Sequence, residues 1–200
     1  MKTLFLAFLL LAAIPANAQF SQKNALYLTT EIGKGNYLGL NAGINYVYNQ
    51  TYSFAVGFSG QIRKAKTTPA DYSSGITGIF SFGLANPSDQ MGTLYLTAGK
   101  IFLIEQTGSV RFHLSLGMGY TVITEPANWQ PAEGGGITEN YTYDAYSYGT
   151  ISLIINPKIE FPFTRYFGLT LSPVLQLNKD RIYIGIAFGS MIGILKSGTF

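Results

Sequence analysis

The alternation of bulky apolar residues with small or polar ones limits what this chain can fold into more strictly than any other feature. Between residues 52 and 63, one face of an extended segment carries Tyr52, Phe54, Val56, Phe58 and Ile62. The other face carries Ser53, Ala55, Gly57, Ser59, Gln61 and Arg63. A period of two indicates a β-strand with two different faces. Because the same split recurs through most of the chain, the sequence predicts a closed barrel in lipid that is apolar outside and polar inside.

The first 18 residues have the composition of a secretory signal peptide. Lys2 provides the positive start, residues 4–14 form an apolar run, and Ala16-Asn17-Ala18 is a small-residue cleavage motif. The run is shorter than the roughly 20 residues that a spanning helix needs. We therefore predict cleavage and export through the general secretory route, and we interpret residues 19–200 as a single domain.

Composition excludes several classes of protein. The chain has no cysteine, which removes disulfides, thiolate metal sites and cysteine nucleophiles. Its formal net charge of +3 is too small to indicate a nucleic-acid surface. No apolar run after the leader is long enough for a transmembrane helix, and only helices and closed barrels satisfy every backbone group in lipid. We predict no nucleic-acid partner, no cofactor and no metal.

The strand pattern predicts an even number of strands. Eight segments alternate in the required way: 25–33, 37–48, 52–63, 91–104, 110–124, 148–163, 167–178 and 181–195. Short turns near Asn49, Gln106 and Thr164 belong on the periplasmic side of such barrels. Residues 64–90, with a short amphipathic helix at 75–84, and residues 125–147 are then extracellular loops. A strand at 75–85, with the first strand outside the barrel, is the alternative.

The chain resembles the small outer-membrane β-barrel proteins of the OmpA/OmpX-like superfamily, in particular a group common in Bacteroidota. The resemblance rests on residues 52–60 (YSFAVGFSG), 152–173 and 178–195, and the terminal Phe200 is similar to the C-terminal aromatic that assembly machinery reads. It implies an all-β, antiparallel up-and-down barrel of eight strands in the bacterial outer membrane. The partners that it implies are outer-membrane lipid, lipopolysaccharide, and the barrel-assembly and periplasmic chaperone machinery.

Charged residues on the inward faces of the predicted strands indicate a polar lumen. They are Glu31, Arg63, Arg111, His113, Lys158, Glu160 and Arg181. The interior of an eight-stranded barrel is only wide enough for side chains to fill, and buried charges are tolerated when they are paired. We therefore predict a lumenal polar network that plugs the barrel. A narrow ion path, as in a small porin-like channel, is the alternative.

The single histidine raises the question of catalysis. His113 lies two residues before Ser115 on one strand face, and Glu125 lies at the far end of that strand. The arrangement is similar to the His-x-Ser pair plus Glu of outer-membrane lipid A deacylases, and a base beside a hydroxyl is what nucleophilic catalysis requires. However, the pair points into the lumen, and Glu125 lies about 33 Å from Ser115 at roughly 3.3 Å per residue. We predict that the chain is not an enzyme, and a lipid A-modifying enzyme is the least favoured alternative.

Aromatic residues are concentrated in the predicted loop 125–147. Trp129, Tyr141, Tyr143 and Tyr146 lie there with a run of three glycines at 134–136. Aromatics with glycine form adaptable contact surfaces, but Tyr and Trp also form the interfacial girdle of any barrel. Both interpretations stay open. The sequence thus predicts an outer-membrane barrel of structural or surface-binding type with an unknown surface ligand.

Overall fold

The computed structural model describes residues 23–75, 86–105, 109–132 and 139–195, which form a closed antiparallel barrel of eight strands. The strands follow one another around the ring in chain order: β1 (Ala25–Gly35), β2 (Leu38–Tyr48), β3 (Tyr52–Lys64), β4 (Ser88–Leu103), β5 (Arg111–Pro131), β6 (Tyr141–Phe161), β7 (Phe167–Leu177) and β8 (Ile182–Ile194). β1 pairs with β8 from Leu26↔Ile194 to Gly35↔Gly185 and so closes the ring. The predicted eight-stranded up-and-down fold is confirmed.

The alternative topology, with the first strand outside the barrel, is wrong because β1 pairs with both β2 and β8. Five sequence predictions lie outside the described residues: the signal peptide, the loop helix at 75–84 beyond its first residue, the turn near Gln106, the glycine run at 134–136, and Phe200. Within the described part of the chain, no helix has the length and apolar character needed to cross a membrane.

Exposure alternates along the strands as the sequence pattern predicts. On the outward face, Leu96 is 66% exposed and Met118 is 63% exposed, whereas the inward residues Thr93 and Thr121 are fully buried. The outward apolar side chains continue around the whole ring. An exposed apolar surface of this extent is what hydrocarbon covers in a membrane barrel. The fold is therefore that of a transmembrane β-barrel.

The connections divide the barrel into two ends. At one end they are short: the β2–β3 turn has Asn49 and Gln50 at φ 50° and 54°, the left-handed values of a type I′ hairpin turn. At the other end lie the longest connections, between β3 and β4 and between β5 and β6. Short turns are periplasmic in barrels of this kind, so we call the two ends periplasmic and extracellular.

Two strands are much longer than the others. β5 and β6 contain 21 residues each, whereas β7 contains 11. β4 accompanies β5 only to Gln90↔Thr124, beyond which β5 and β6 pair with each other as far as Pro131↔Tyr141. Residues 125–131 and 141–147 thus project from the barrel as a two-stranded sheet, which we call the β5–β6 ribbon. The prediction of a loop throughout 125–147 is wrong for these residues.

A charge on the lipid face tests this arrangement. We expect Leu96→Arg to lower the free energy of unfolding by roughly 2–4 kcal/mol, because the guanidinium enters hydrocarbon near the middle of the bilayer. The measurement is urea unfolding in phospholipid vesicles, followed by circular dichroism. Thr142→Arg, on the exposed ribbon, is the control, and an equal loss in both variants would contradict the assigned lipid face.

Candidate functional site

Glu160 is the centre of a polar cluster in the periplasmic half of the lumen. Its carboxylate is fully buried and accepts hydrogen bonds from Arg111 Nε at 2.5 Å, from Tyr27 Oη at 2.9 Å and from His113 Nδ1 at 3.0 Å. Arg111 also donates from Nη1 to the carbonyl of Leu195 at 3.0 Å. The β5–β6 register sets Arg111 directly opposite Glu160. We call Tyr27, Arg111, His113, Glu160 and the adjoining Ser53 the basal cluster.

His113 connects this carboxylate to a hydroxyl that sequence reasoning did not predict. Because the Glu160 carboxylate can only accept, Nδ1 of His113 donates to it, and Nε2 on the other side of the ring is hydrogen bonded to Ser53 Oγ, 2.6 Å away. The predicted neighbour Ser115 instead donates to the Asn156 carbonyl at 3.0 Å. Ser53, His113 and Glu160 have the order of a nucleophile, base and carboxylate, yet each is at most 2% exposed.

A second buried carboxylate, Glu31, is the centre of the middle layer. One of its oxygens accepts from Lys158 Nζ at 3.1 Å, from Thr170 at 2.9 Å and from Ser172 at 2.6 Å. The other oxygen accepts from Asn41 Nδ2 at 2.6 Å. Four donors on one carboxylate satisfy its charge in the absence of bulk water.

Above this layer, neutral side chains form a further hydrogen-bonded layer in the lumen. Gln176 Nε2 lies 2.9 Å from the Thr93 hydroxyl and 3.2 Å from the hydroxyls of Thr121 and Ser152. The three hydroxyls are hydrogen bonded in series, at 2.8 and 2.6 Å. Each of these four residues is at most 2% exposed, so the layer packs across the barrel axis.

Ion pairs and aromatic rings close the extracellular mouth. Arg63 donates twice to Asp89, at 2.9 and 2.7 Å, and its guanidinium carbon lies 4.3 Å from the centre of the Tyr37 ring. Arg181 is ion paired with Glu125. Beneath them, an apolar cluster contains Tyr37, Met91, Ile123 and Tyr183.

The structure brings all seven predicted lumenal residues inside the barrel, but in separate groups. Arg111, His113 and Glu160 lie together, Glu31 pairs with Lys158, and the two remaining arginines lie at the mouth. Their partners Asp89 and Glu125 were not predicted as lumenal. The sequence could have indicated Asp89, because it lies two residues before Met91 and therefore on the same, inward face of β4.

Two further properties bear on transport and metal binding. Among the described residues, four acids (Glu31, Asp89, Glu125 and Glu160) form ion pairs with four bases (Lys158, Arg63, Arg181 and Arg111, respectively). The lumenal cavity, lined by residues such as Asn41, His113 and Gln176, measures about 40 Å³, which is room for a few water molecules. Among the described residues, no three His, Asp or Glu side chains group so as to hold a metal ion.

The predicted contact aromatics lie on the β5–β6 ribbon. Trp129 packs against Tyr143 at 4.9 Å and Tyr141 at 6.3 Å between ring centres, and against Tyr72 at 5.6 Å. Tyr146 contacts Tyr148 instead, at 5.6 Å, and is 59% exposed. A β-bulge precedes Trp129, where Asn128 adopts φ 53°; a bulge re-aims the side chains next to it.

The segment after β3 docks on this ribbon, which the sequence did not indicate. Tyr141 donates its hydroxyl to Asp71 at 3.0 Å, and the Asn140 side chain bonds the backbone of residues 71 and 73 at 2.8 and 2.7 Å. Burial raises the pKa of Tyr72 to about 12, and the carboxylate of Glu139 adds to that rise. The Tyr72 phenol is therefore protonated at any physiological pH.

Comparisons with known proteins support the fold. No family model and no curated protein matches the chain. The N-terminal β-barrel domain of OprF from Pseudomonas aeruginosa is 11% identical, with a TM-score of 0.54, over 86% of this chain and 98% of that one. Ail of Yersinia pestis (14% identity, TM-score 0.48, 86% and 97%) and Neisserial surface protein A (10%, 0.47, 86% and 96%) also match.

At these identities the comparisons concern architecture only. The match to the OprF domain shows a shared fold, whereas TM-scores below 0.5 add nothing to it. Together with the apolar outer face and the paired charges inside, it defines the class: this chain is a small transmembrane β-barrel of the kind found in bacterial outer membranes.

Removing the charge of Glu160 tests the basal cluster. We expect Glu160→Gln to lower the free energy of unfolding by roughly 3–5 kcal/mol, because it leaves the Arg111 guanidinium buried without a counter-charge. Asp144→Asn, on the exposed ribbon, removes the same charge and is expected to change stability by less than about 0.5 kcal/mol. Both are measured by urea unfolding in detergent, and equal effects would rule out the cluster as a stabilising element.

Proposed function

We propose that this chain is an outer-membrane protein that holds a binding ribbon above the cell surface on a barrel whose lumen is closed. The observation that carries the proposal is the projection of β5 and β6 beyond the other strands. The predicted signal peptide, the strand register and the apolar outer face all support insertion in the outer membrane with the ribbon outside. Under this proposal, the aromatic residues of the ribbon contact a ligand and do not serve as the interfacial girdle of the barrel.

One edge of the ribbon is available for strand pairing. β6 pairs with β7 only as far as Leu153↔Leu177, so residues 141–151 pair with β5 alone among the described strands. The edge of β5 is covered instead, where Thr67 donates its hydroxyl to the Pro126 carbonyl at 2.9 Å. An unpaired strand edge offers N–H and C=O groups to an extended peptide, which is recognition by β-augmentation.

The side chains next to this edge favour a protein ligand. Tyr143 and Tyr146 are 37% and 59% exposed on β6, and the ring of Tyr143 packs against Trp129 on β5. Rigid aromatic side chains give a large contact area at a small cost in conformational entropy. We therefore infer that an extended peptide segment of a surface partner pairs with the ribbon part of β6, residues 141–147.

A shortened barrel tests this function. Glu125 and Tyr146 are cross-strand partners, so residues 126–145 can be replaced by an Asn-Gly type I′ turn that leaves every lipid-embedded strand unchanged. A phage library of random peptides is selected on the wild-type barrel in lipid nanodiscs. We expect the selected peptides to bind the shortened barrel at least about tenfold more weakly, as measured by biolayer interferometry; equal binding to both barrels, or no enrichment, would contradict the proposal.

The closed lumen has its own test. An ion crossing the barrel would have to displace the basal cluster, the Glu31 layer and the Gln176 layer, each of which is buried and hydrogen bonded. We expect no steady single-channel steps in planar bilayers, with the OprF barrel domain measured alongside for comparison. Steady steps that vanish on changing Arg111 or Glu160 would instead favour the porin-like alternative.

A further inference from the structure

We infer that the outer wall of the barrel carries a site for one phosphorylated glycolipid of the outer leaflet, formed at a break between β6 and β7. This inference rests on the proposed outer-membrane function. The site is a groove of about 570 Å³ on the lipid-facing side. Its wall is apolar, and a lysine lies at its extracellular end.

Two opposed prolines produce the break. β6 and β7 pair through residues 153–155 with 175–177 and through 159–161 with 169–171, but not through the three residues between. The register on either side sets Pro157 opposite Pro173, and neither proline has an N–H to contribute to the ladder. The Pro173 carbonyl accepts a hydrogen bond from the Asn156 side chain at 2.9 Å in place of a ladder bond.

The groove runs across four neighbouring strands, from β1 through β8 and β7 to β6. Lys34 pairs with Ile186 on β8, and Ile186 pairs with Pro173 on β7. From Lys34 to Pro157 this row crosses three strand spacings, about 14 Å, and it runs from the extracellular end of β1 towards the periplasmic half of β6. An apolar path of this length can hold part of an acyl chain whose headgroup lies at Lys34.

The extracellular end of the groove fits a phosphate. Lys34 is exposed and makes no ion pair with any described residue. The neighbouring Asn36 is fixed to β8, donating to the Ile182 carbonyl at 2.6 Å and accepting from the Ile184 N–H at 3.0 Å. A free ammonium group beside a rigid turn, at the level of the headgroups, attracts anionic lipid.

A second groove on the outer wall differs from the first in having no basic residue in its lining. It measures about 710 Å³ and is lined by Thr30, Leu40, Ala42, Phe58 and neighbouring residues, but no basic residue lines it. It can hold a lipid chain but lacks a phosphate partner. Of these two grooves, the first alone has a lysine in its lining, so we assign the glycolipid site to it.

The experiment measures how much lipid A the barrel retains. Wild type and variants are inserted into phosphatidylcholine vesicles that contain bisphosphorylated lipid A, extracted in mild detergent and weighed by native mass spectrometry. We expect Lys34→Gln to reduce retention about fivefold, and Ile186→Trp, which fills the groove, to reduce it similarly. The matched controls Lys64→Gln, another exposed lysine at the extracellular end of its strand, and Ala42→Trp, in the second groove, retain lipid A like wild type.

Three outcomes would overturn the inference: unchanged retention in Lys34→Gln, an equal loss in Lys64→Gln, or equal retention of phosphatidylglycerol or of dephosphorylated lipid A. Insertion is scored separately from the heat-modifiable band on gels. Failure of the wild-type chain to insert would refute the proposed membrane function. Normal insertion, with the same lipid A retention in wild type and Lys34→Gln, would refute only the glycolipid site.

Discussion

The structure depends on the requirement that backbone N–H and C=O groups be paired wherever water is absent. In hydrocarbon a sheet can meet this requirement only by closing on itself, and here β1 closes the ring by pairing with β8 along ten residues. Closure then determines which side chains face lipid and which face the axis. At the break between β6 and β7, the Asn156 side chain replaces a ladder bond by donating to the Pro173 carbonyl.

In a narrow closed barrel, the polar side chains that point inward must pack together and find hydrogen-bond or ionic partners among themselves. The two carboxylates near the axis, Glu31 and Glu160, are tolerated because each is bound by a base and by additional donors from strands far apart in sequence. The lumenal layers thus stabilise the barrel as a hydrophobic core stabilises a soluble domain, but through hydrogen bonds and ion pairs, which are directional. The same interactions that stabilise the barrel also occupy much of its interior.

The sequence predicted the number of strands, their faces and the seven lumenal charges, because a period of two is visible in any single strand. The extension of β5 and β6 could not be predicted: outside the bilayer both faces of residues 125–131 and 141–147 meet water, so no apolar-polar split remains. Contacts set by ring closure, such as Ser53 with His113, and the docking of Tyr72 on Trp129 join segments about 60 residues apart, and local patterns carry no information about them. The prolines were visible, but only the register shows that they face each other.

The great length of β5 and β6 has a mechanical consequence. A partner attached to the ribbon, as proposed above, would pull along the axes of two strands that extend down to the Arg111–Glu160 pair on the periplasmic side. Such a load is parallel to the strands, so it shears the ladders to β4 and β7 instead of unzipping them one bond at a time. The ladder to β4 is continuous, whereas the one to β7 is broken at the prolines. Under tension from an adhering surface, the barrel would therefore yield first along the boundary between β6 and β7.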